Sequence, residues 1–315
     1  MRNGNRWKFQ FCVLSLVCFF LAIPEKGSAQ LEPLPLAGTW RFQLDPDNVG
    51  ASQQWWTRDL SDQINLPGFL QGQGYGDPPG PNSQWLAGIG LKRANDPLFA
   101  HYFKEGEFLS PFFLTPRRHY VGGAWYQRDV VIPQHWKGCH ITLTLERVHW
   151  ESRVWIDDRE IGSQNSLAAP HVYDLSRVLS PGKHRITIRV DNSYLIPVGK
   201  SAHSISDETQ GNWNGIIGKI ALEATPPVWI DDVQVLPHAK EKYVDVEVTI
   251  GNLTGQPGKG QLQVAAALVN PSENSSSEKV PRVPPALQPV TWSADGAKIT
   301  FRYDLGENAL LWDEF

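Results

Sequence analysis

The chain has 315 residues, with 29 basic and 33 acidic side chains and a formal net charge of −4. The leader described next holds four of the basic residues and one of the acidic ones, so the rest carries 25 against 32, a net charge of −7. That balance argues against nucleic acid and other polyanions as partners, because binding them draws on clustered Lys and Arg. No basic amphipathic segment is present to meet a membrane surface.

Arg2, Arg6 and Lys8 precede an apolar run from Phe9 to Ile23, and Gly27-Ser28-Ala29 follows. This order predicts a secretory signal peptide over 1–29, cut after Ala29. The apolar run is shorter than the roughly 20 residues that span a bilayer, which disfavours a membrane anchor. Val17 stands where a lipidated Cys18 would need a small residue before it. Cys12 and Cys18 leave with the leader, so only Cys139 remains. An exported chain with one cysteine must hold its fold by buried apolar area rather than by an internal disulfide. Thirteen tryptophans, one of them Trp7 in the leader, suit both sandwich cores and sugar-stacking surfaces.

Beyond the leader the pattern is strand after strand. Ile141, Leu143 and Leu145 alternate with polar neighbours, as do Val154 and Ile156, then Ile186, Ile188 and Val190. Val244, Val246, Val248 and Ile250 repeat the pattern, and so do Ile299, Phe301 and Tyr303. Period-2 alternation predicts strands with one buried face. Asp157-Asp158, Pro181-Gly182 and Gly255-Gln256-Pro257-Gly258 supply the turns. No amphipathic helix interrupts them, so the expected class is all-β. Residues 68–120 differ, being aperiodic and rich in Gly, Pro and aromatics; long loops of this kind are commonly functional. A boundary is expected at Pro226-Pro227, between a closing strand (219–224) and an opening one (228–236). Residues 270–290, rich in Ser, Pro and Glu, read as an exposed connection.

Several motifs then fall in a telling order. Leu36-Ala37-Gly38-Thr39-Trp40-Arg41-Phe42 is followed by Leu66-Pro67-Gly68 and Gly123-Ala124-Trp125-Tyr126-Gln127-Arg128-Asp129, then Ile132-Pro133 and Trp136. Next come Leu145-Glu146-Arg147-Val148, Val154-Trp155-Ile156-Asp157-Asp158 and Pro170-His171-Val172-Tyr173-Asp174-Leu175. Last is Gly211-Asn212-Trp213-Asn214-Gly215-Ile216-Ile217-Gly218. This series resembles the N-terminal sugar-binding domain of glycoside hydrolase family 2, the β-galactosidase and β-glucuronidase family. The resemblance implies a galactose-binding-like jelly-roll sandwich over 30–226. The remainder, 227–315, looks like the family's immunoglobulin-like sandwich, incomplete and stopping in a strand at Leu311-Trp312-Asp313-Glu314-Phe315. The family's (β/α)₈ barrel is expected downstream as the catalytic partner.

Family members are retaining glycosidases, a chemistry that needs two carboxyl groups about 5–5.5 Å apart. Their acid/base glutamate sits in an Asn-Glu pair, and no Asn is followed by Glu in this chain. No catalytic residue is therefore carried over, and no cofactor is implied.

The resemblance does place sugar-facing side chains near Trp213. Asn212, Trp213 and Asn214 set an aromatic face beside planar amides, which is what sugar recognition requires. Asp207, just upstream, is the nearest candidate for the family's acidic contact. An extended backbone would send Trp213 and its two Asn neighbours to opposite faces, so joint action needs a loop. The competing reading makes Trp213 sandwich core and the Asn residues turn formers. In the long loop, Gln71, Gln73, Tyr75, Asp77 and Trp85 form a second candidate group, against a purely buttressing role. His171 is either a sugar donor or a hydrogen-bonded structural histidine. His135, Cys139 and His140 lie close together, but Trp136-Lys137-Gly138 reads as a turn and no fourth ligand is near, so no metal is expected. The partner expected is thus a β-linked carbohydrate, with no contact to nucleic acid, and none to a membrane once the leader is removed. A freestanding carbohydrate-binding module and a structural sandwich protein are the alternatives.

Overall fold

The computed structural model describes residues 31–80, 83, 96–98, 100, 103–104, 107–108, 117–195, 199, 202, 212–267, 282–307 and 309. The leader, Trp85, Asp207 and the final Leu311–Phe315 segment lie outside the described residues. The strands in chain order are β1 (Leu34–Pro35), β2 (Gly38–Asp45), β3 (Asp62–Leu66), β4 (Gly68–Phe69), β5 (Phe103–Lys104), β6 (Glu107–Phe108) and β7 (Gly123–Ile132). Then come β8 (His140–Leu145), β9 (Val148–His149), β10 (Glu151–Ile156), β11 (Arg159–Gln164), β12 (His171–Asp174), β13 (Gly182–Asp191), β14 (Gly215–Ile216) and β15 (Ile220–Thr225). The last five are β16 (Val228–His238), β17 (Tyr243–Asn252), β18 (Gly258–Ala267), β19 (Arg282–Trp292) and β20 (Ala297–Asp304). Helical structure among the described residues is confined to short 3-10 turns such as Gln134–Trp136.

A four-stranded sheet, β1-β15-β8-β12, packs against a six-stranded sheet, β11-β10-β13-β7-β2-β3. The alternation seen in the sequence explains their shared core. From the larger sheet Phe42, Tyr126, Val154, Ile186, Ile188 and Val190 point inward; from the smaller one come Ile141, Leu143, Leu145, Ile220 and Leu222. All are at most 3% exposed. The opposite face of the larger sheet is covered as well. Trp125 and Trp155 stack there beneath Trp55 and Trp56, with the Trp56 and Trp155 rings 5.0 Å apart and almost parallel.

The long aperiodic stretch is tied down at its base. Asp77 and His119 exchange two backbone hydrogen bonds of 2.9 and 2.7 Å, so the loop leaves and returns at one point.

After Pro226-Pro227 the strands pair only among themselves. β16, β17 and β20 form one sheet and β18 with β19 another. Val244, Val246, Val248 and Ile250 of β17 form the buried row between them. Where the two groups of strands meet, Trp229 lies between Gly251 and the imidazole of His140. The two rings stack with centroids 3.8 Å apart and planes nearly parallel.

Candidate functional site

A third small sheet sits at one end of the first sandwich: β4, β14 and β9, with β14 in the middle. Its centre is Gly215, which pairs with Phe69 on one side and His149 on the other. The strands come so close that a Cβ on Gly215 would lie 2.7 Å from the Phe69 Cα, and the residue has φ +150°. Only glycine accepts both conditions.

The segment leading into Gly215 has no regular secondary structure, and burial alternates along it: Asn212 and Asn214 are buried, and Trp213 between them is half-buried. Trp213 is thus set apart from its two neighbours. Asn214 is fully enclosed and uses its whole amide. Its Oδ1 accepts from the Tyr126 hydroxyl at 2.9 Å, and its Nδ2 donates to the Gly122 and Val190 carbonyls at 3.0 Å each. Its backbone N–H donates to Gln71 Oε1 at 3.1 Å. Asn212 Nδ2 donates to the Asn192 carbonyl at 2.9 Å, while its Oδ1 is buried with no hydrogen-bond partner. Asn192 in turn clasps Tyr120 and Gly122. The two asparagines are framework, and Trp213 is the member of the trio left at the surface.

Trp213 rests on His149, with ring centroids 4.8 Å apart and planes inclined by 57°. His149 is 2% exposed, and neither of its ring nitrogens has a hydrogen-bond partner. Burial pushes its pKa down to about 4, so the ring is neutral at physiological pH. Phe69, on the other side of Gly215, is 43% exposed.

The remaining candidates are dispersed. Gln73 closes on the backbone of Asn65, donating from Nε2 at 2.8 Å and accepting at Oε1 at 2.9 Å. The Tyr75 hydroxyl donates to the Gln63 carbonyl at 2.5 Å, and its ring packs on Phe42. Asp77 anchors the loop base through its backbone. His171 is buried on β12 between Ser152 Oγ, 2.6 Å from Nδ1, and the Ser166 carbonyl, 2.9 Å from Nε2. Burial lowers its pKa, partly offset by that carbonyl contact. Among the described candidates of the long loop, Gln71 reaches the Trp213 segment, accepting from the Asn214 N–H at 3.1 Å and donating to the Asn212 carbonyl at 3.5 Å. His149 and Phe69 are the functional candidates that pattern reading missed. A lone polar ring between Val148 and Trp150 was the available signal for the first. A shallow groove lined by Lys259, Gln261, Pro289 and Thr291 lies on the β18–β19 pair, away from this cluster, and gathers no acid–base set. Among the described residues no group of three His, Cys, Asp or Glu side chains is placed to hold a metal ion.

The fold and site define an all-β protein whose first sandwich carries a half-open aromatic ledge at the end of its sheets. Residues 100–226 match the family described as glycosyl hydrolases family 2, sugar binding domain, and this part of the chain carries that domain. Among curated proteins, the chain is 25% identical over 168 residues to a β-glucuronidase of Paenibacillus borealis, covering 53% of this chain and 22% of the relative. It is 24% identical over 301 residues to the β-glucuronidase of Sus scrofa, covering 81% and 41%. Among solved structures, a calcium-binding mutant of Bacteroides uniformis β-glucuronidase 2 aligns with a TM-score of 0.56 at 15% identity, covering 86% of this chain and 27% of that one. Ruminococcus gnavus β-glucuronidase aligns with a TM-score of 0.51 at 16% identity, covering 90% and 40%. At such identities the structural likeness speaks to fold alone. The chain spans well under half the length of each of these relatives.

Proposed function

We propose that this chain is the substrate-shaping portion of an exported glycosidase of the family 2 kind, acting on terminal β-linked sugars. The observation that carries this reading is the family match over residues 100–226, which include the Trp213 segment. The aromatic ledge supports it, because a half-exposed indole beside an exposed phenyl ring offers apolar surface to the C–H face of a pyranose. In this reading residues 30–226 form the sugar-binding module and 227–315 the immunoglobulin-like module. The signal peptide over 1–29 directs export, and a barrel domain supplies the two carboxyl groups that cleave the bond.

The test has two arms on the purified chain. A nitrophenyl β-galactoside and a nitrophenyl β-glucuronide should both survive incubation with it. Turnover by a preparation that a mass spectrum shows free of other enzymes would overturn the division of labour. Titration with the corresponding methyl glycosides should show weak, saturable binding, and a flat titration for both removes the sugar-contact reading.

A further inference from the structure

We propose that His149 is a sugar-hydroxyl partner covered by a movable Trp213. The inference rests on the sugar-binding reading above and names the chemistry of that same site.

His149 has both nitrogens buried and neither hydrogen-bonded, in a chain whose other buried histidine on the first sandwich's strands, His171, is paired at both. A buried polar atom without a partner bears its full desolvation penalty, and a phenyl ring would fill the same space without it. Among the described residues His149 is the one side chain that leaves two such atoms unmet, where no other leaves more than one, and a ligand would complete its set. What lies over the imidazole is the half-buried Trp213 ring. Beside it, Gly215 contributes no side chain, so nothing on β14 stands between His149 and the exposed Phe69. Rotation of Trp213 off the imidazole opens both nitrogens to that gap.

The ring chemistry selects the ligand. A neutral imidazole offers one N–H donor and one acceptor nitrogen. A sugar hydroxyl both donates and accepts, so a hydroxyl can meet either nitrogen; the two nitrogens point to opposite sides of the ring, so each takes a separate, non-adjacent hydroxyl. A carboxylate has no proton to give and leaves the acceptor unmet. The site therefore takes the hydroxyl edge of a pyranose and does not itself choose between a hexoside and a uronide. The displaced indole then packs against the sugar's C–H face.

The experiment follows the His149 ring nitrogens by NMR in the full chain while methyl β-D-galactoside or methyl β-D-glucuronide is added, beside His149→Phe. Both sugars are expected to shift the His149 nitrogen resonances. His149→Phe is expected to weaken both by about tenfold or more and to raise the Tm. If sugar binds while the His149 resonances stay fixed, or if His149→Phe binds as tightly as wild type, the inference falls and the sugar-binding reading stands. If neither sugar binds wild type, both fall. Should His149→Phe fail to fold, the wild-type resonances decide alone.

Discussion

The two groups of strands close their cores in different ways. In the first, the inward faces stay buried out to the edge strands β3 and β12, and the outer face of the larger sheet is roofed by tryptophans. In the second, the seal stops one strand short. Val246 and Val248 of β17 are 4% and 3% exposed, but their cross-strand partners on β16, Val235 and Val233, are 55% and 49% exposed. Partners across an antiparallel pair share a face, so the covering β18–β19 sheet ends above β17. Identical residue types on the same face thus differ by about half their surface within one strand spacing. Alternation in a strand reports which way side chains point, and only the facing layer decides whether they are buried.

This contrast can be broken by mutation. Asn214→Ala has the largest expected effect. It strands the Tyr126 hydroxyl and two carbonyls in the sealed core, a loss of about 3–4 kcal/mol by urea unfolding. A loss below 1 kcal/mol would mean that the amide is not what ties these strands.

Acid should separate the regions next. His149 has its pKa lowered to about 4 in the folded chain against 6.5 unfolded. Between these values the unfolded chain takes up a proton that the folded one refuses, so stability falls as pH drops from 6.5 to 4, by up to about 3 kcal/mol. Equilibrium unfolding across this range should show the slope in wild type and a reduced slope in His149→Phe. His171, also shifted down, leaves a remainder. Equal slopes in both proteins would place the proton uptake elsewhere.

Within the second group, Val246→Ala should cost about 2 kcal/mol and Val235→Ala under about 1 kcal/mol. Comparable losses would show that β16 is covered in solution. The junction between the two groups offers a coupled test. A Cβ at Gly251 would collide with the Trp229 indole and push it from His140. Gly251→Ala and His140→Ala should then each cost about 1 kcal/mol and together cost less than their sum. Strict additivity would separate the two contacts.

Much of this architecture could be read from the sequence where a pattern was long enough to register. The runs in β8, β13, β17 and β20 alternate over six or more residues and each is a strand; β8 and β17 bury the expected face, β13 buries both faces under the tryptophan layer, and on β20 only Tyr303 is fully buried. The sheet that builds the site has strands of two residues, too short for any period, and they exist because distant segments meet. Trp213 was legible as an aromatic face between two amides, and its separation from Asn212 and Asn214 follows from simple alternation. His149 was not, because nothing local distinguishes a histidine with satisfied nitrogens from one without. β16 was legible as a strand, but a register shift between Ile230 and Asp232 interrupts its alternation, and its exposure depends on a layer that no local pattern describes.

The amide of Asn214 has a consequence for how the protein is made. The side-chain amide meets Tyr126, 88 residues away, and the backbone N–H of the same residue meets Gln71, 143 residues away. Contacts at such separations close late, after the chain entropy of the intervening loops has been spent. During synthesis from the N-terminus, strands β2 to β13 leave the ribosome before Asn214 does, and they can begin to pair without it. The ledge around Trp213 comes into being only when the closing segment arrives. A half-made chain would therefore lack the ledge altogether.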